Sequence, residues 1–311
     1  MNGVVTAGAP AGERKSWRDR DGEISFIEWV DESNADRPTL HFAHANGFNG
    51  LTYRRLLSPL AKDFRIRAWD ASGHGLTSLP ADPADHRNWY VYRDDLIRFV
   101  EGWAEETGGP VMLAGHSMGG AMSLMAAAER PDLVRGLLLI DPVLIPNHQR
   151  RFIGLAQKLG MGGSTGFDLA RGAEKRRAEF PDAETMLRAY TGRGAFRTWP
   201  QEVVADYIEG GTLTRDDGTL ELACKPAWEA ANFRAQGHDS ISPIAQLEAP
   251  FTLVYAGPGS TCRAPAPALL AAHDPQATIL RIGRASHFIP MEFPETIRRE
   301  ILDLQARIAA G

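Results

Sequence analysis

Cysteine is almost absent. Cys224 and Cys262 are the only two in 311 residues. They stand in no C-x-x-C pair, so neither a zinc site nor a dithiol redox motif can be read from them. Long hydrophobic runs are missing too. A membrane span needs roughly 18 or more consecutive apolar residues, and the most apolar stretch, 137–145, is interrupted by Asp141 and Pro142. The N-terminal stretch MNGVVTAGAPAGERK lacks the basic segment and apolar core of a secretory signal. Lysine occurs only at Lys15, Lys62, Lys158, Lys175 and Lys225, and the formal net charge is −5. Nucleic-acid binding, which needs a clustered basic surface, is therefore not expected. No repeat and no low-complexity tract is present. These absences lead us to expect a soluble, cytosolic protein that acts on a small molecule, with no membrane partner. Its first dozen residues, rich in Gly, Ala and Pro, read as a frayed tail.

What is present is a rhythm. Short apolar runs at 23–30, 39–44, 65–70, 110–114, 136–140, 250–256 and 277–282 alternate with longer helical patterns. That alternation is the signature of a mostly parallel sheet flanked by helices, an α/β fold whose buried strands are apolar on both faces. The segment 89–106 carries Leu96, Val100 and Trp103 on one helical face. The last helix carries Ile297, Ile301, Leu304 and Ile308 on one stripe.

The rhythm breaks after Pro146 and resumes at Pro250. The intervening segment holds helical patches, a glycine joint at 160–163, and a hairpin turning at Asp217-Gly218 between 212–214 and 219–222. We read 1–145 and 241–311 as one core domain and 146–240 as a mainly helical cap inserted into it. The stretch RDDGTLE (215–221) lacks the spacing of a calcium loop, so no metal is expected and no cofactor motif appears. EKRRAE (174–179) reads as a solvated helix face. Phe152, Phe167, Tyr190, Phe196, Trp199, Trp228 and Phe233 concentrate in the cap, mostly as its own packing, with one or two expected to roof an apolar pocket.

The chemistry centres on VMLAGHSMGG (111–120). A strand-like run meets a Gly-x-Ser-x-Gly turn and a helix-like run follows, the setting of a nucleophile elbow. The sharp turn forces Ser117 into a strained backbone conformation and crowds the positions two before and two after it. Very small residues are needed there, which accounts for Gly115 and Gly119. The helix N-terminus behind the serine favours a developing negative charge. A serine needs a base. His287, in the loop between the last strand and the last helix, projects over the carboxyl edge of the sheet, where ligands bind in open α/β folds.

With these pieces the chain resembles the α/β-hydrolase superfamily. The resemblance is carried by HFAHANGF (41–48), WDASGHGLTS (69–78), GHSMGG (115–120), LLLIDPV (137–143) and SHFIPMEFPE (286–295), in the family's order and on both halves of the core. It implies the α/β-hydrolase fold and a Ser-His-acid triad with Ser117 and His287 as its first members. Most members carry the acid in a G-x-x-D loop after the strand that follows the cap. Here that loop reads YAGPGSTCR (255–263), with Ser260 at the acid's position. Asp141, at the end of the strand next to the nucleophile strand, is the expected replacement, and Asp239 is the runner-up. The resemblance also implies an oxyanion hole from the backbone N–H groups of Met118 and Asn46. Because Ala45 stands where glycine is usual, Gly47 remains an alternative to Asn46. His44 and His74 are expected to brace loops.

The expected activity is hydrolysis of an ester-like bond in a small apolar substrate through an acyl-enzyme. Carbon–carbon bond hydrolase, lactonase, amidase, thioesterase and cofactor-free perhydrolase chemistry use the same triad. A low-turnover small-molecule receptor is the alternative of another class.

Overall fold

The computed structural model describes residues 12–30, 33–146, 165–235 and 237–310. The tail and the glycine joint at 160–163 lie outside the described residues, as does Phe152 and the side chain of Phe167.

Eight strands form the main sheet: β1 (Glu13–Asp19), β2 (Gly22–Trp29), β3 (Thr39–Ala43), β4 (Arg65–Trp69), β5 (Val111–His116), β6 (Val134–Ile140), β10 (Phe251–Ala256) and β11 (Thr278–Ile282). Their spatial order is β1-β2-β4-β3-β5-β6-β10-β11. The β1–β2 and β2–β4 pairs are antiparallel, and all pairs from β4 to β11 are parallel. The seven strands expected from the apolar runs are all here. β1 is an addition: it pairs with β2 at the sheet edge and turns at Arg20-Asp21.

The sheet's two faces take alternate residues of each strand, as the pleat requires. Leu113, Leu137, Leu139 and Leu253 enter one core with helices α2 (Tyr90–Thr107), α3 (Met118–Glu129) and α8 (Ala266–His273). Met112, Ala114, Leu138, Ile140 and Val254 enter the other, with α1 (Arg54–Leu57) and α10 (Pro294–Ala310). The expected helix faces are the buried ones. Leu96, Val100 and Trp103 of α2 are buried, as are Ile297, Ile301 and Leu304 of α10. The short helix α9 (Ile289–Glu292) precedes α10.

Between β6 and β10, which are neighbours in the sheet, the chain leaves the core and builds a cap. Its helices are α4 (Thr165–Glu174), α5 (Ala183–Tyr190), α6 (Gln201–Gly211) and α7 (Pro226–Arg234). The expected hairpin is present as β8 (Thr212–Thr214) and β9 (Leu220–Leu222), with Gly218 at φ 81° in its turn. A third strand, β7 (Glu179–Phe180), pairs with β9. This small sheet does not extend the main one.

One expectation needs correcting. The 174–179 run is not a solvated helix face, because α4 stops at Glu174. Arg176 turns inward. It makes an ion pair with Glu229 of α7 and donates to the hydroxyls of Tyr207 (2.7 Å) and Tyr190 (3.3 Å). These partners come from three different helices, so composition along the run could not reveal them.

Candidate active site

β5 ends at His116 and α3 begins at Met118, leaving Ser117 alone in the turn at φ 59°, ψ −116°. This is a costly conformation for a residue with a Cβ, worth on the order of 1–3 kcal/mol. The neighbours hold it in place. The Ser117 N–H donates to the Ile140 carbonyl (3.0 Å), and the Ser117 carbonyl accepts from Ala121 and Val143 (both 3.1 Å). The crowding inferred for the two glycines is present. A Cβ on Gly115 would lie 2.3 Å from the Gly119 carbonyl oxygen, and one on Gly119 would lie 2.1 Å from that of Ala43.

The structure brings Ser117, His287 and Asp141 into one hydrogen-bonded chain. Ser117 Oγ is 2.9 Å from His287 Nε2, and His287 Nδ1 is 2.6 Å from Asp141 Oδ2. Asp141 is fully buried and, like Ser117, has a positive φ, 39°. Its carboxylate is well supplied with donors. Oδ1 accepts from the Ala256 N–H (2.9 Å) and the Ser260 hydroxyl (2.5 Å), and Oδ2 from the Thr261 N–H (3.0 Å). Burial is the strongest influence on this carboxyl and raises its pKa. The His287 ring and these donors together outweigh it and bring the pKa below the ordinary carboxylate value. Ser260, at the position where the family pattern has its acid, is thus a donor to an acid at the end of the neighbouring strand. That role, and that of Thr261, was not read from the sequence. Asp239 sits elsewhere, with its carboxylate accepting from the N–H groups of Ile241 (2.9 Å) and Ser242 (3.1 Å) and closing a local turn.

The loop after β3 is pinned on both sides of Asn46. The Ala45 N–H donates to the Tyr53 hydroxyl (3.1 Å), and the Gly47 N–H donates to His74 Nε2 (3.0 Å). The Gly47 N–H is therefore already engaged, whereas the Asn46 N–H donates to no group among the described residues. The Asn46 side chain donates to the Glu229 carbonyl of α7 (3.1 Å), which ties the loop to the cap. His44 and His74 act as braces. His44 Nε2 accepts from the Ala71 N–H (2.9 Å), and His74 Nδ1 faces the Ser72 carbonyl (3.1 Å).

Aromatic rings cluster beside His287 and His116. Phe288 adjoins His287 (ring centroids 5.4 Å apart) and Phe48 adjoins His116 (6.4 Å). Trp199 of the cap packs edge-on against both Phe48 (5.2 Å) and Phe288 (5.4 Å). Among the described residues, no group of three or more His, Cys, Asp or Glu is arranged to hold a metal ion, and no helix is long and apolar enough to cross a membrane.

Comparison with known proteins agrees with this architecture. Human monoglyceride lipase is 30% identical over 129 residues, which is 41% of this chain and 42% of the lipase. The chain thus spans less than half the length of that relative. A 2-(acetamidomethylene)succinate hydrolase from Mesorhizobium japonicum is 25% identical over 264 residues, 85% of this chain and 86% of the relative. Among solved structures, E-2-(acetamidomethylene)succinate hydrolase superimposes with a TM-score of 0.74 at 21% identity, covering 95% of this chain and all (100%) of that one. A peroxisomal alpha-beta-hydrolase from Saccharomyces cerevisiae gives 0.75 at 15% identity, covering 98% and 91%. At such identities these two likenesses concern the fold. The model of the alpha/beta hydrolase family matches residues 42–300, a span that holds every strand from Phe42 onward, the cap and all three residues of the hydrogen-bonded chain, and the protein belongs to that family.

Proposed function

We propose that the protein is a serine hydrolase that cleaves an ester-like bond in a small, largely apolar substrate through an acyl-enzyme. The observation that carries this reading is the continuous chain Ser117 Oγ–His287 Nε2 (2.9 Å) and His287 Nδ1–Asp141 Oδ2 (2.6 Å). His287 takes the Ser117 proton as Oγ attacks the carbonyl carbon. The carbonyl oxygen gains the electron pair and is stabilised by the backbone N–H groups of Met118 and Asn46. Collapse of the adduct expels the alcohol, which leaves with the proton held by His287. Water, deprotonated by the same ring, then releases the acid and restores Ser117. Asp141 keeps Nδ1 protonated and balances the imidazolium charge. The scheme balances with substrate and water alone. Phe48, Trp199 and Phe288 supply the apolar surface for the acyl or alcohol group.

A second reading is favoured by one comparison. A relative that aligns over 85% of this chain and 86% of its own length is a 2-(acetamidomethylene)succinate hydrolase, whose name places an acetamido group in its substrate. The same groups would cleave an acylamide C–N bond, with His287 protonating the departing nitrogen.

The test is direct. Wild type should turn over p-nitrophenyl acetate, and a fluorophosphonate should label Ser117 alone. Ser117→Ala should lose activity by a factor on the order of 10⁶ and keep its melting temperature to within a few degrees. Label on another serine, or a Ser117→Ala rate equal to wild type, overturns the assignment. Absence of turnover on esters and on N-acetyl enamides alike would favour a small-molecule receptor. Comparing the two substrates separates the ester from the amide reading.

A further inference from the structure

We infer that Tyr53 and His116 are positioning residues that lock the loop holding Asn46 to the loop holding His287. This inference rests on the roles proposed above for those two loops.

Both side chains are buried, Tyr53 at 1% and His116 at 0% exposure. The Tyr53 hydroxyl oxygen is 3.1 Å from the Ala45 nitrogen and 2.8 Å from His116 Nδ1. His116 Nε2 is 2.8 Å from the His287 carbonyl oxygen. Elementary bookkeeping assigns every proton in this chain. A backbone N–H only donates, so the tyrosine oxygen accepts from Ala45. A carbonyl only accepts, so His116 carries its proton on Nε2. Burial is the main influence on the His116 ring and lowers its pKa to about 3, so the ring is neutral and Nδ1 is bare. Nδ1 therefore accepts from the Tyr53 hydroxyl, whose own pKa burial raises. Each group makes the bond its chemistry allows.

The chain crosses three elements. Ala45 precedes Asn46 in the loop after β3, His116 precedes Ser117 at the end of β5, and His287 lies in the loop after β11. One run of hydrogen bonds thus links the backbone beside the oxyanion donor, the backbone beside the nucleophile and the backbone of the base. It makes no hydrogen bond to Ser117 Oγ or His287 Nε2, and its one contact with a reacting side chain is the His116 ring, which lies against the His287 ring (4.9 Å between centroids). A shift of one loop would have to break a buried hydrogen bond, and buried polar groups left without partners are expensive. The relative placement of Asn46 N–H and His287 Nε2 is therefore set as a unit. Catalytic rates fall steeply when such placement loosens by a fraction of an ångström to one ångström.

Tyr53→Phe tests this with least disturbance. It keeps the ring that packs against Phe42 (4.4 Å between centroids) and removes only the hydroxyl. Rates are to be normalised to fluorophosphonate-titrated sites, so that loss of folded protein does not count. The expected result for p-nitrophenyl acetate is a fall in kcat of roughly 10- to 100-fold, with KM within about twofold. His116→Leu should do the same, and the double variant should be no slower than the slower single one, because both remove one chain. A normalised kcat equal to wild type in Tyr53→Phe, a change in KM alone, or additive losses in the double variant would overturn the inference. If either variant fails to fold, the wild-type enzyme still decides. Its His116 ring, seen by ¹⁵N NMR, should hold the neutral Nε2–H tautomer unchanged from pH 5 to 8. A charged ring or an Nδ1–H tautomer would overturn it. Labelling of Ser117 together with unchanged Tyr53→Phe turnover sinks this inference alone. Failure of Ser117 to be labelled sinks the reading beneath it.

Discussion

Ser117 and Asp141 are the two non-glycine residues with positive φ among the described residues, at 59° and 39°. Such conformations persist where surrounding bonds over-determine them, and they concentrate at functional sites. For Asp141 the bonds are visible. Its N–H donates to the Val254 carbonyl (2.7 Å), its carbonyl accepts from the Thr261 hydroxyl (2.7 Å), and its carboxylate faces Ala256, Ser260, Thr261 and His287. Replacement by asparagine keeps the shape and removes the charge. It also offers an NH₂ group where donors converge. We expect Asp141→Asn to lower kcat by a factor on the order of 10⁴ with little change in KM, and Asp239→Asn, which loosens a turn, to change kcat by less than about tenfold. Steady-state kinetics on one ester decides between them. Near wild-type kcat in Asp141→Asn with collapse in Asp239→Asn would remove Asp141 from the mechanism. Ser260→Ala should fall between, because the carboxylate loses one donor of several. Ser260→Asp in the wild-type background should be worse than Ser260→Ala, since it would set two carboxylates where the hydroxyl now lies 2.5 Å from Oδ1.

At the scale of elements, the turn from β5 to α3 depends on close backbone approach. A Cβ on Gly115 would meet backbone atoms of Gly119 and Gly120 at 2.3–2.7 Å, and backbone cannot swing aside as a side chain can. Gly115→Ala should therefore destabilise by about 3 kcal/mol, at the upper end of overpacking costs, and abolish fluorophosphonate labelling. Gly172, in α4, has nothing within 4 Å of its missing Cβ. Gly172→Ala should instead stabilise by about 0.5–1 kcal/mol, the helix-propensity difference. Denaturant midpoints of the two variants check both signs. The same elements show what a sequence can disclose. The core strands were legible because parallel strands buried on both faces are continuous apolar runs. β1 was not, because only Asp19 of its seven residues is buried and an edge strand takes its place from its partner. The elbow and the His287 loop were legible because their chemistry needs particular residue types at short spacing. The donors Ser260 and Thr261, the inward turn of Arg176 and the Tyr53 hydroxyl were not, because each is defined by partners far away in the chain. The partners of the Ala45 and Gly47 N–H groups, Tyr53 and His74, were not legible either, because they too lie outside the loop.

Taken as a whole, the molecule buries an unusual set of neutral histidines, and this fixes how its stability responds to acid. His41, His44, His74 and His116 are all buried to within 1% exposure. Burial is the leading cause in each case and lowers the pKa, to about 3 for His41 and His116. Unfolding returns each ring to an ordinary value near 6.5. Below that pH the unfolded chain binds more protons than the native one, so stability must fall as pH falls. The stabilisation is fully present above about pH 6.5 and is lost progressively below it, at up to about 1.4 kcal/mol per pH unit for each ring. Some carboxyls oppose this. Burial raises Asp206 to about 6, and raises Asp95 and Glu300 as well. A native group with a raised pKa takes up its proton first and gains stability as pH falls. Four histidines against these carboxyls leave a net proton uptake on unfolding between about pH 4 and 6, so the urea midpoint should be lower at pH 5 than at pH 7.5. His41 is the ring on which to test the cause. Neither of its nitrogens has a hydrogen-bond partner among the described residues, and it packs edge-on against Trp69 and Phe99 (5.5 and 5.6 Å). His41→Phe keeps an aromatic ring there and removes one titrating group. It should raise stability more at pH 5 than at pH 7.5 and flatten the pH slope by about one proton. An unchanged slope would mean that His41 binds as many protons folded as unfolded, and the acid sensitivity would then have to come from the other buried rings, from His86 and from carboxyls held low such as Asp141.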